Sequence, residues 1–328
     1  MSKGGPSSGL LEQPTHSGRG PHHQARQEGE VMNQTMIELQ GVHKHYGRIH
    51  ALNGLDLSVT RGELFGLVGV NGAGKTTTLS LVMGFIQATS GRLNVLGLNP
   101  WTDAPALHAR VAWLPGDVRL PEALTGREWL EYQSSVARTE RTRIPALAQE
   151  WEVPINQPMR TLSKGNRQKV ALLRLLASDA AMLVLDEPTS GLDPLAQEKL
   201  LSVLRERARS GVTVLFSSHS LAEVQTLCDR IAVIDRGRVI KTGTVAALTG
   251  GTRTLAVWTH NPIDPRGLEP WKPLMVSSTH AILEGDGLLE LALPKLATFG
   301  VERAEYGGIG LERLLDQTHN HNSQKVAQ

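Results

Sequence analysis

The run Leu67-Val-Gly-Val-Asn-Gly-Ala-Gly-Lys-Thr-Thr77 leaves this chain few folds to choose from, because its residue types and spacing build a cradle for phosphate. Gly69 and Gly74 bracket it in the pattern G-x-x-x-x-G-K-[ST], and the glycines let successive backbone N–H groups converge on phosphate oxygens without Cβ interference. Gly69, Val70, Asn71, Gly72, Ala73, Gly74, Lys75, Thr76 and Thr77 are therefore the candidate nucleotide-binding segment. Lys75 adds a point charge, and Thr76 sets a hydroxyl where a magnesium ion bridging the β- and γ-phosphates is held. The apolar run Leu64–Gly69 reads as the buried strand that must precede such a loop. A helix continuing through Leu79 to Phe85 is expected after it, with its positive N-terminal end facing the phosphates.

A second strand, Ala181-Met-Leu-Val-Leu-Asp-Glu-Pro188, ends in two adjacent carboxylates that strand alternation sends in different directions. They cannot share one task. Asp186 is the candidate magnesium ligand, acting through the ion's water shell, and Glu187 is the candidate base that polarises an attacking water beyond the γ-phosphate.

The segment Leu162-Ser-Lys-Gly-Asn-Arg-Gln168, between the loop and the paired acids, resembles the signature loop of ATP-binding cassette (ABC) proteins, usually written L-S-G-G-Q. Lys164 stands in place of the first paired glycine and Asn166 in place of the glutamine, while Ser163 and Gly165 are kept; variants of this kind resemble those of bacterial export ATPases. Ser163 opens a helix through Val170 to Ala177, so a hydroxyl and a helix N-terminus still face a phosphate. Tyr46 matches the family's adenine-stacking aromatic. Ser190-Gly-Leu-Asp193 resembles its D-loop, which brings Asp193 among the nucleotide-binding residues, and His219, closing Leu215-Phe-Ser-Ser-His219, resembles its switch histidine in contact with the γ-phosphate. Lys75, Glu187 and His219 are the implied catalytic groups. These motifs run in family order from Tyr46 to His219, about two-thirds of the chain.

One element departs from the family pattern. The strand Val111-Ala-Trp-Leu-Pro115 is followed by Gly116-Asp117 where the family carries a glutamine, so Asp117 is the candidate replacement near the metal.

The resemblance implies a P-loop NTPase of the α/β class with the ABC ATPase fold: an antiparallel β subdomain, a RecA-like parallel sheet core and a helical subdomain. Ile37–Gln40 and Leu55–Val59 alternate as antiparallel edge strands with Gly54 as a turn. From Leu64 buried strands alternate with helices. The helical subdomain is expected at about 117–165, with Thr125-Gly-Arg-Glu128 as a helix start. Domain limits are expected at 1–35 for a disordered tail, too poor in β-branched and aromatic residues to fold, and at 36–248 for the ATPase domain. Residues 250–328 then form a small α+β accessory domain, with strands at Thr254–Trp258 and Gly287–Ala292, a helix near Leu311–Asp316, and Trp258 and Trp271 as core anchors. Translation beginning at Met32 or Met36 is also compatible with the sequence.

Composition is that of a soluble chain: 328 residues, 40% hydrophobic, 20% charged and a net charge of +2 speak against a nucleic-acid binder. Apolar runs are broken by Arg174 and Asp179, short of the roughly 20 residues a bilayer crossing needs. The single cysteine, Cys228, reads as a buried small hydrophobe, and His16, His22 and His23 as solvated side chains.

The resemblance implies ATP and magnesium as ligands, and a transmembrane permease subunit as partner at the cytoplasmic face of the membrane. It also implies a homodimer or a heterodimer with a second ABC ATPase, in which Ser163 and Gly165 complete the opposite subunit's site. The alternatives are a soluble ABC-family ATPase and a nucleotide sensor in a non-transport process. If Asp117→Ala leaves both ATP hydrolysis and its coupling to the partner unchanged, Asp117 is a loop residue.

Overall fold

Stretches in which every residue is buried can settle only inside a sheet covered on both faces. Among the described strands, three are buried throughout: β3 (Leu64–Val68), β6 (Met182–Asp186) and β7 (Thr213–Ser218). In the computed structural model, which describes residues 34–137, 141–220, 223–224, 227–248, 253–264, 271–285 and 296–307, all three lie in one six-stranded sheet. Its order is β5-β6-β7-β3-β8-β9, where β5 is Val111–Leu114, β8 Arg230–Asp235 and β9 Arg238–Thr244. All its pairings are parallel except that of the edge strand β9 with β8. Parallel neighbours require crossovers. The helix Pro194–Arg209 supplies one between β6 and β7, and α1 (Lys75–Val82) follows β3 directly, shorter at its C-terminal end than expected.

A separate antiparallel sheet holds β2 (Ile49–Thr60), β1 (Thr35–Tyr46) and β4 (Ser90–Val95) in that order. Its first two strands are longer than the alternation implied, and Gly54 is not a turn. The chain reverses at Gly47–Arg48, with Tyr46 opposite Ile49, while Gly54 is the extra residue between the pairs Val42–Leu55 and His43–Asn53. A glycine at φ 76° inside a strand marks a bulge, so the strand bends there and continues.

A short α2 (Ala104–His108) precedes β5, and the region after β5 is helical, as expected: α3 (Gly126–Ala137), α4 (Arg143–Glu150) and α5 (Lys164–Leu176) contribute Leu130, Ile144, Ala148 and Leu172 to the core shared with Leu183 and Phe216. The first of these helices opens with the capping box legible in sequence. Thr125 donates its backbone N–H and its hydroxyl to the Glu128 carboxylate, each at 2.8 Å, and Glu128 returns its N–H to the Thr125 hydroxyl at 3.2 Å.

Toward the C-terminus, β10 (Arg253–Thr259), β11 (Lys272–Val276), β12 (His280–Gly285) and β13 (Val301–Gly307) form an antiparallel sheet of order β11-β12-β10-β13. Its own apolar cluster includes Leu255, Val257, Trp271 and Leu283. Trp271 is a buried anchor. Trp258 is half-buried instead, stacked on His280 at 4.6 Å with the Arg303 guanidinium 5.0 Å from its ring. The strand expected at 287–292, the helix at 311–316, the N-terminal tail with Met32, and His16, His22 and His23 lie outside the described residues. Met36 is buried in β1. Cys228 is buried as expected, and burial pushes its thiol far above the ordinary range. No helix among the described residues is long and apolar enough to cross a membrane.

Phe216 lies fully buried on β7 within the larger core cluster, so truncating it removes a whole ring from a close-packed interior. Phe216→Ala is expected to cost about 3–5 kcal/mol in a denaturant titration, and Phe216→Leu clearly less. Equal losses for the two variants would show that ring packing is not what this strand contributes.

Candidate nucleotide site

The loop leaves β3 at Gly69, where an added Cβ would collide with the Ile234 carbonyl. It then turns through Gly72 and Gly74, at φ 82° and 113°. A side chain at Gly74 would meet Leu52 at 2.8 Å, so the loop is wedged against the β1–β2 hairpin that carries Tyr46 at its end. No side chain caps α1. The N–H groups of its first turn are thus left for an anion, which the dipole also favours. Lys75, 5% exposed, donates to the carbonyls of Gly69 at 2.7 Å and Val70 at 3.3 Å, which aims its ammonium back over the loop.

The ends of β3, β6 and β7 lie level, since Val68 pairs with Ser218 and Asp186 with Ser217. That level brings three oxygen-bearing side chains together. Asp186 accepts from the Thr76 hydroxyl at 2.7 Å and from the Ser217 hydroxyl at 2.5 Å, while itself only 4% exposed. Among the described residues no cation lies within ion-pair distance of this buried carboxylate. A hard, oxygen-only donor set holding an uncompensated negative charge fits a magnesium ion. Ser217 had escaped assignment from the sequence, although its position two residues before His219 on the neighbouring strand was a usable signal.

Glu187 stands just past the end of β6, outside strand alternation, and its carboxylate has different partners from that of Asp186. Its backbone adopts φ 45°, a left-handed conformation that costs a non-glycine residue about 1–2 kcal/mol. The Glu187 N–H offsets this by donating to the Ser217 carbonyl and hydroxyl, each at 3.1 Å. Its carboxylate lies 3.5 Å from the Lys75 ammonium and 3.1 Å from the His219 ring. The three implied catalytic groups therefore meet.

A second group of candidates forms around Gly191. Ser163 caps α5 by accepting from the Asn166 N–H at 3.2 Å, and Gly165 packs so near the Gly191 carbonyl that a Cβ would approach it to 2.8 Å. The Lys164 stem lies along Gly191. Asp193 caps the next helix, α6 (Pro194–Arg209), accepting from the Ala196 N–H at 2.9 Å, and pairs with Lys169 at 3.1 Å. Tyr46 is 48% exposed, an available flat face. Asp117 is not drawn into either group: its carboxylate is exposed and held by Arg119 at 2.8 Å, while the neighbouring Gly116 packs against Asp186.

The ABC transporter family profile matches residues 52–190. An ABC transporter ATP-binding protein of Nostoc sp. is 35% identical over 248 residues, covering 73% of this chain and 71% of that protein. The Nod factor export ATP-binding protein I of Ralstonia nicotianae is 38% identical over 214 residues, 63% of this chain and 67% of that one. The daunorubicin resistance ATP-binding protein DrrA3 of Streptomyces coeruleorubidus is 37% identical over 231 residues, 68% and 73% respectively. A solved ATP-binding subunit of an ABC transporter superposes with a TM-score of 0.60 at 29% identity, over 66% of this chain and 92% of that one. The chain belongs to the ABC transporter ATP-binding proteins. It has their ABC ATPase fold and is an ATPase subunit that binds ATP.

The Ala196 N–H and then the Lys169 ammonium hold the Asp193 carboxyl below the usual carboxylate range. A carboxyl depressed on folding stabilises the protein above its unfolded pKa of about 3.9, and that contribution is lost as pH falls through the lower folded value. The thermal midpoint of Asp193→Ala should therefore lie below wild type at neutral pH, with the gap closing as pH drops below about 4. A gap that held constant with pH would mean that the ionised carboxylate contributes nothing at this cap.

Proposed function

We propose that this chain hydrolyses ATP to drive export, as one of two ATPase subunits beneath a separate membrane-spanning permease at the cytoplasmic face of the membrane. The observation that carries the reading is the meeting of Lys75, Glu187 and His219, with one carboxylate 3.5 Å from the ammonium and 3.1 Å from the ring. Lys75 belongs to the phosphate cradle. A carboxylate within ion-pair reach of it stands where water attacking the terminal phosphate must come from.

In this mechanism the amides of 69–77 and Lys75 hold the triphosphate, Lys75 exchanging carbonyl and carboxylate partners for phosphate oxygens. Tyr46 stacks on adenine, worth about 1–3 kcal/mol with little base selectivity. Glu187 accepts a proton from the attacking water, whose oxygen bonds to the γ-phosphorus while the bond to the β–γ bridging oxygen breaks and ADP leaves. His219 steadies Glu187 and contacts the γ-phosphate. Thr76 and Asp186 would hold magnesium, which would supply positive charge against the phosphates. Asp117, paired with Arg119, has no part in this mechanism.

Ser163 and Gly165, with Asp193 behind them, face the ATP of the opposite subunit, either a second copy or another ABC ATPase. ATP then favours the closed pair, and hydrolysis releases it. Residues 36–248 carry this activity and 250–328 form an accessory domain. The direction of transport rests on relatives whose names specify Nod factor export and daunorubicin resistance.

Glu187→Gln keeps size and hydrogen bonding but cannot take the proton. ATP affinity should stay within a few-fold of wild type, turnover should fall at least about 100-fold, and an ATP-bound dimer should accumulate in size-exclusion chromatography. Normal turnover in this variant removes Glu187 from the catalytic role.

A further inference from the structure

The backbone that presents Glu187 is held from two sides. On the sheet side, Ser217 takes the Glu187 N–H. On the helix side, Pro188 has no N–H to offer, so only its carbonyl can anchor the next peptide. That carbonyl accepts from the side-chain amide of Gln168 at 3.2 Å. Gln168 sits on the second turn of α5, 5% exposed, where a buried polar group must be paired. One residue further on, the Thr189 carbonyl is held by Gln197 of α6, which also reaches the Leu192 carbonyl, both at 3.2 Å.

We propose that Gln168 is a positioning residue for hydrolysis: its amide fixes the Pro188–Thr189 peptide, directly after the left-handed turn that aims the Glu187 carboxylate at Lys75 and His219. It also ties that turn to the helix that Ser163 caps and that carries Gly165 in its first turn. The proposal rests on the reading of Glu187 as the base. Without the Gln168 donor the Pro188 carbonyl is left buried and unpaired, and the strained turn at φ 45° loses its helix-side restraint. Nothing in this contact touches the cradle, so nucleotide binding does not depend on it.

The test uses the full chain with Gln168→Met, which keeps length and apolar burial but not the donor, and Gln168→Glu, which places an acceptor opposite an acceptor. Both are assayed for steady-state ATPase and for equilibrium binding of a fluorescent ATP analogue, alongside Glu187→Gln. The expected result is a fall in kcat of about 10-fold or more in both Gln168 variants, with the analogue's Kd within twofold of wild type. The proposal is overturned if kcat is unchanged in either variant, or if any loss of kcat comes with an equal loss of analogue binding, the mark of a merely structural role. The underlying reading fails separately, and visibly, if Glu187→Gln itself turns over normally.

Discussion

A carboxylate taken out of water is the constraint around which this molecule is arranged. Burying an ionised group costs several kcal/mol unless it is compensated, and among the described residues the side-chain donors to Asp186 are two hydroxyls. Those hydroxyls arrive from different elements, Thr76 from the helix after β3 and Ser217 from the end of β7. They converge only because three adjacent parallel strands end at one level. The register of the sheet core is thus the device that assembles the site, and the wholly buried strands are what hold that register.

Much of this was legible in the sequence, for physical reasons. A phosphate cradle needs glycine at set positions, a buried strand before it and a helix after it, so the loop 69–77 announced its neighbours as well as itself. Cap chemistry is equally local, which is why Thr125 with Glu128, and Ser163 at the head of α5, are found as the residue types required. What escaped depends on elements far apart in the chain. Ser217 matters because β7 lies next to β6, and Gln168 because α5 crosses beneath Pro188. Gly54 misled for the opposite reason: a glycine signals unusual backbone without saying whether the chain reverses or merely bulges, and only the pairing with β1 decides. At Asp117, the place where the family carries a glutamine suggested the metal, yet it is Gly116 that approaches Asp186, while Asp117 finds Arg119 in solvent.

The two clusters of candidate residues differ in character. Around Asp186 and Glu187 the side chains bond to one another, Thr76 and Ser217 to Asp186 and Lys75 and His219 to Glu187. Around Gly191 the contacts are with backbone and helix caps, and Ser163 stays exposed at the head of α5. One cluster is knit together by its own side chains and the other presents a surface. The short link between them, from Glu187 to Asp193, is pinned along its length by Gln168 and Gln197. Movement at the exposed end of α5 is therefore mechanically connected to the turn that carries Glu187.

The placement of Cys228 has a practical consequence. Its sulfur is packed so near Gly66 that an added Cβ there would come within 2.8 Å, and burial keeps the thiol protonated. The thiolate is the form that reacts with maleimides and oxidants, so the native protein is effectively silent toward them. Because the chain holds no other cysteine, probes attached to cysteines introduced at exposed positions such as Leu195 would report from those positions alone.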